Sequence, residues 1–194
     1  MLKTKIVSSQ QKAFIDDSID RYPRLEQISV LRGEKLSFQL LYVDEGEEYL
    51  PVRPYCALEI KGALAKYVTV RDVRNVPVDR PIHPNKFDSN YLRTTPGIYP
   101  DILTPLRYGG KVIVSRDKLR SLWIELEIPQ DATGSYTMEF SIGLIGAAVG
   151  DTDNAELSGA PISTDRITVD VIAATLPKQE LIFTQWFYAD CLAS

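Results

Sequence analysis

A single histidine, His83, is present in the 194 residues. Several imidazoles are needed to build a multi-histidine metal centre, so that class is excluded within one chain. A triad of nucleophile, histidine and carboxylate would have to use His83 itself. That residue lies between Pro81 and Pro84 and reads as an ordinary loop residue. Cysteine is nearly as scarce: Cys56 and Cys191 stand far apart, make no disulfide framework, and leave no C-x-x-C for zinc or redox chemistry. Neither a P-loop, a G-x-S-x-G nor a G-x-G-x-x-G occurs. No apolar run approaches the roughly 18 residues of a membrane span. The first seven residues are too short and polar for a signal peptide. The expected location is cytoplasmic, although a parent protein could be exported. Positive charge is not concentrated anywhere. The net charge is −4, and the longest basic stretch, 116–120, carries Asp117 inside it. Neither nucleic acid nor a membrane is expected as a partner, and no metal or cofactor is expected.

What the chain does contain is alternation. Leu36, Phe38, Leu40 and Tyr42 alternate with Ser37, Gln39 and Leu41. Cys56, Leu58 and Ile60 alternate with Ala57, Glu59 and Lys61, and Val68 and Val70 with Thr69 and Arg71. The same pattern runs through Leu122–Ile128, Tyr136–Leu144 and Ile167–Val171. A period of two places successive side chains on opposite faces of a strand. One apolar face and one polar face is how an antiparallel sheet over a core reads. Two shorter strands are expected at 3–7 and 27–31. The fold class is therefore all-β, a two-layer antiparallel β-sandwich, immunoglobulin-like or related. Its core should include Phe38, Leu40, Leu58, Ile60, Val70, Ile124, Leu126, Phe140, Ile142 and Val169. The run Asp131 to Tyr136, with Gly134, resembles a tyrosine corner.

Two stretches break the pattern. Residues 146–164 are rich in Gly, Ala, Asp and Ser and read as an exposed hairpin loop. Residues 75–108 hold half of the chain's prolines and four aromatics, and read as a long functional or interfacial loop. The acidic pair Asp44-Glu45 precedes Gly46 and reads as a turn. Cys56 falls on the apolar face of its strand and reads as a core residue. Tyr55, Tyr67 and Trp123 fall on polar faces, where rings can stack on sugars or be covered at an interface.

Three segments carry a family resemblance: Tyr91–Leu103 (YLRTTPGIYPDIL), Leu122–Tyr136 (LWIELEIPQDATGSY) and Leu176–Ala193 (LPKQELIFTQWFYADCLA). Together they resemble the N-terminal region of bacterial proteins similar to glycoside hydrolase family 123, including those with a DUF4091-type domain. In that family a β-sandwich precedes a (β/α)8 barrel acting on β-linked N-acetylgalactosamine, with a substrate-assisted mechanism that uses an Asp-Glu pair in the barrel. That pair has no counterpart here, and Asp44-Glu45 lies in the sandwich. The resemblance implies a sandwich at 1–178 and, at 179–194, the remnant of the barrel's first strand. It implies a chain that is no enzyme by itself, from a parent that is a glycoside hydrolase. Tyr91, Arg93, Thr94, Tyr99, Trp186 and Asp190 would then contact the missing barrel or its substrate cleft. A second reading is an autonomous carbohydrate-binding module stacking sugar on Tyr55, Tyr67 and Trp123, and a third is a structural or adhesive sandwich. The crowded apolar tail, Leu181 to Tyr188, suggests dimerisation through that tail or backfolding onto the sandwich.

Overall fold

The alternating segments become strands of two five-stranded sheets packed face to face. The computed structural model describes residues 1–46, 55–80, 90–106, 111–145 and 157–177. Among these there is no α-helix, and no helix is long and apolar enough to cross a membrane. The first sheet holds, in spatial order, β1 (Leu2–Ser8), β3 (Lys35–Asp44), β8 (Arg120–Glu127), β5 (Val68–Val78) and β6 (Gly97–Pro105). The second holds β2 (Gln27–Leu31), β10 (Ser163–Ile172), β9 (Gly134–Leu144), β4 (Tyr55–Lys61) and β7 (Lys111–Ile113).

The expected core forms between the sheets. Phe38, Leu40, Ile124, Leu126, Phe140, Ile142 and Val169 are completely buried, and Leu58, Ile60 and Val70 pack at its margin. Phe38 of one sheet meets Phe140 of the other edge to face at 5.6 Å, a favoured aromatic geometry. Glu125 takes the other face of β8 and pairs with Arg71 at 2.7 Å. Cys56 is buried in the core. Burial pushes its thiol up to about 11, which suits an inert packing residue.

Three expectations need correction. The sandwich is not wholly antiparallel: β2 runs parallel to β10, from Gln27 opposite Thr168 to Leu31 opposite Ile172. The turn at Gly33 carries the chain from the second sheet into the first. Secondly, 75–108 is not one long loop. β5 continues to Val78 and β6 returns beside it, from Val78 opposite Gly97 to Arg71 opposite Pro105, with a register shift between Arg74 and Asn75. Pro77, Pro100 and Pro105 are tolerated there because β6 is an edge strand and β5 pairs with β8 only as far as Asp72. Thirdly, Leu41 does not face solvent. Val7, Ala13, Ile19, Tyr22, Leu41, Val43 and Leu119 make a second, smaller core on the outer face of the first sheet. Residues 9–24 roof it, including a 3-10 turn, Ile19–Arg21, whose Asp20 N–H donates to the Ser18 hydroxyl.

The free edge of β1 is closed by a side chain. Asp165 occupies an inward position of β10, in line with Ile167 and Val169, and is buried. Its carboxylate accepts the Ile6 N–H at 2.8 Å and the Arg166 N–H at 2.8 Å, and also pairs with Arg24. The Ile6 carbonyl accepts the Leu25 N–H at 2.8 Å. Both outward backbone groups of Ile6 are thus satisfied, which removes a template for edge pairing. At the Tyr136 turn, the Thr133 N–H donates to the Tyr136 hydroxyl at 3.3 Å, a short-range contact of the tyrosine-corner type. His83, Phe87, Tyr108, the 146–156 part of the hairpin loop and the whole 179–194 tail lie outside the described residues.

Candidate functional site

Two features meet on the outer face of the first sheet, where β5 and β6 approach the 9–22 segment. Arg93 is the centre of one cluster. Its guanidinium pairs with Asp16 at 2.8 Å and Asp17 at 3.5 Å and lies 3.9 Å from the centroid of the Phe14 ring. Tyr99 meets the same ring edge to face at 5.3 Å. The Tyr99 hydroxyl donates to the carbonyls of Thr95, at 2.7 Å, and Arg93, at 3.3 Å. Asp17 also accepts from the Tyr22 hydroxyl and from Arg21. Burial and the neighbouring Asp17 carboxylate push the Tyr22 phenol well up. The result is a latch that holds the turn before β6 onto the N-terminal segment. Two of the residues expected to reach a barrel, Arg93 and Tyr99, are therefore engaged within the chain, while Tyr91 and Thr94 are exposed.

The latch is electrostatically legible. The Arg93 guanidinium beside Asp16 holds that carboxyl below its ordinary value. A depressed carboxyl pKa stabilises above the unfolded value and is lost as pH falls through the folded one. Replacing Arg93 by alanine is expected to speed amide exchange across residues 90–97. Global stability should change by only about 1 kcal/mol, because the Asp16 side chain is 60% exposed and solvent screens that pair, while the shielded Asp17 keeps Arg21 and the Tyr22 hydroxyl as partners. The native protein should show the same loosening in acid, below the ordinary aspartate range. Equal exchange in both proteins at neutral pH would show that the latch holds nothing.

Beside the latch is an open cleft of about 230 Å³. Trp123 of β8 forms its floor, flanked in register by Gln39 of β3 and Arg71 of β5. Residues 9–13 form one wall, and Val73, Pro100, Asp101 and Leu103 the other. Gln39 is buried, and its side-chain amide donates to the carbonyls of Ser8, Ser9 and Gln11 while its oxygen accepts from Ser121 at 2.7 Å. Sequence pattern placed Trp123 outward; it gave no sign of Gln39 as its neighbour, nor of Phe14, Asp16 and Asp17 as partners of Arg93.

The three aromatics proposed for stacking do not come together. Tyr67 ends a 3-10 turn, Ala65–Tyr67, ahead of β5, instead of lying on a strand's polar face, and it packs partly on the core. It lines a separate cleft with Gly33, Lys35 and Glu127. Tyr55 belongs to β4 of the opposite sheet, and its side chain lies outside the described residues. Trp186 and Asp190 lie outside them as well. Asp44, at the end of β3, is buried and accepts from the Gly46 N–H at 3.1 Å, and Glu45 pairs with Lys3. Among the described residues no group of three or more His, Cys, Asp or Glu could hold a metal ion. Exposed apolar side chains gather along the β6 edge and the turn before it: Tyr91, Leu92, Ile98, Ile102 and Leu103.

No family model matches the chain, and no curated protein matches it. Among solved structures, a family 123 glycoside hydrolase from Clostridium perfringens, studied for glycolipid glycan hydrolysis, is similar with a TM-score of 0.60 and 15% identity. The likeness covers 91% of this chain and 28% of that one. AvmM, which catalyses macrocyclization in alchivemycin A biosynthesis, follows at 0.44 and 10% identity over 93% and 92% of the two chains. The N-terminal domain of PorA gives 0.35 and 10% over 89% and 99%. The first of these shows a shared β-sandwich fold. The chain spans little more than a quarter of that hydrolase's length.

Proposed function

We propose that this chain is the non-catalytic sandwich of a larger glycoside hydrolase, packing against a separate catalytic barrel. The observation that carries the reading is the likeness to the family 123 hydrolase, which takes in nearly all of this chain and 28% of that one. The resemblance of the 91–103, 122–136 and 176–193 segments to the same family supports it. The parent's substrate would be a β-linked N-acetylgalactosaminide. Asp17, Asp44 and Asp165, the acids best shielded from water among the described residues, are committed to latch, strand end and sheet edge. Asp101 is the one carboxylate among the residues lining the Trp123 cleft, and a glycosidase ordinarily needs two groups.

The β6 edge and the Tyr91–Leu92 turn offer the docking face, with Thr94 beside them. Arg93 and Tyr99 contribute by holding that turn in place. Purified chain is expected to leave an aryl N-acetyl-β-galactosaminide uncleaved. Hydrolysis that disappears on mutating one of its residues would overturn the non-catalytic role. In the longer protein, amide exchange across 91–103 should be slower than in the isolated chain. Equal exchange there would remove the docking face.

A further inference from the structure

We infer that the Trp123 cleft is a glycan-binding subsite for a single pyranose ring, built into the sandwich itself. The inference stands on the cleft alone and does not depend on the chain belonging to a hydrolase.

Trp123 is a large ring on the outer face of a sheet, beyond the residues of the second core. The segment 9–13 and strand β6 rise on either side of it without closing over it. Among the described residues its indole N–H makes no hydrogen bond, and it is not sealed from solvent. The floor therefore offers an aromatic side chain and one free donor. The wall beside it is preorganised. Buried Gln39 ties down three carbonyls of the 8–11 turn, those of Ser8, Ser9 and Gln11, the shortest bond being 2.6 Å to Gln11. A wall already held in place costs little ordering when a ligand arrives.

The rim decides the ligand class. Gln10, Gln11, Lys12 and Asp101 line the cleft, and none of their side chains is engaged by a hydrogen bond or ion pair among the described residues. They supply donor-only, acceptor-only and mixed groups around an aromatic floor. A pyranose has the complementary layout: a C–H face to lie on the indole, and hydroxyls around its perimeter that both donate and accept. A purely apolar ligand would desolvate that rim without pairing it. The volume, about 230 Å³, lies below the ordinary range of ligand sites and leaves room for no more than one ring. Val73, Pro100 and Leu103 give the far wall an apolar surface for a ring substituent. The Tyr67 cleft differs in kind. Its Lys35 and Glu127 are paired with each other, and Lys66 lies over the Tyr67 ring.

The test is a titration of the 194-residue chain, labelled with nitrogen-15, with methyl pyranosides and short gluco-, galacto-, xylo- and N-acetylhexosamine oligosaccharides. The Trp123 indole N–H, told apart from that of Trp186 by substitution, should shift saturably with at least one sugar, at roughly millimolar affinity. Trp123→Ala should weaken that binding by about tenfold or more. Trp123→Tyr should retain most of it, and Tyr67→Ala should leave it unchanged. If Trp123→Ala does not fold, Lys12→Ala and Asp101→Ala, both at the rim, should each lower affinity severalfold. No sugar moving the Trp123 indole signal would overturn the inference, and so would sugar binding, read at the backbone amides of residues 9–13 and 101–103, that is unchanged by both Trp123→Ala and the rim substitutions. Neither result bears on whether β6 docks against a barrel, which the exchange comparison across 91–103 reads separately.

Discussion

Phe140→Ala is expected to destabilise the fold by about 3–5 kcal/mol. Phe140 has no exposed surface and stands at the centre of β9, opposite Ile60 on one neighbouring strand and Asp165 on the other. Its ring crosses the gap between the sheets to meet Phe38. Truncation removes buried apolar surface and leaves a cavity that two regular sheets cannot collapse to fill, because their spacing is set by all the other side chains between them. Urea unfolding monitored by circular dichroism would measure the loss as a lower midpoint at unchanged slope. A double-mutant cycle with Phe38→Leu should return a coupling of about 0.5–1.5 kcal/mol for the ring pair. A loss below about 1 kcal/mol for Phe140→Ala would mean that the sheets do not pack at this point.

Asp165→Ala should cost about 2–3 kcal/mol, from a different source. The inward position it holds would suit an apolar residue, but the alanine leaves the Ile6 N–H buried without an acceptor. That orphaned donor accounts for most of the cost. Arg24 contributes less, since its side chain is 41% exposed and can return to water. Arg24→Ala should therefore cost under about 1 kcal/mol. The discriminating measurement is exchange at the Ile6 amide, which should accelerate sharply in Asp165→Ala and only slightly in Arg24→Ala. If both variants behave alike, the ion pair and not the strand edge is what Asp165 supports.

Alternation found the sandwich because each strand's inward set is apolar over several residues, as in Leu122, Ile124 and Leu126. It failed where a strand is buried twice. Leu41 and Val43 are covered by 9–24, and that segment has no periodicity to announce a roof. Asp165 was within reach, since it shares the parity of Ile167 and Val169, and an acid in an inward register is a signal of a strand edge to be satisfied. The prolines of β5 and β6 hid a hairpin because edge strands tolerate what central strands do not. The latch was beyond sequence reasoning, because nothing local to Arg93 points to Asp16, and only the packing of β6 beside the N-terminal segment joins them. Trp123 was legible as an outward ring, but the cleft that gives the ring a use depends on Gln39 holding a distant turn.

The parallel pairing of β2 with β10 also governs how this chain comes into being. A strand near the start waits for the last strand among the described residues, and Ile6 of β1 waits for Asp165 of that same strand. During synthesis the intervening strands can pair with one another, but the seam beside β1 and β2 stays open until β10 emerges. Contacts this distant in sequence slow folding, and the open seam presents apolar side chains and unpaired backbone for the whole interval. The window in which a nascent chain could join a neighbour therefore closes with the arrival of residues 163–172.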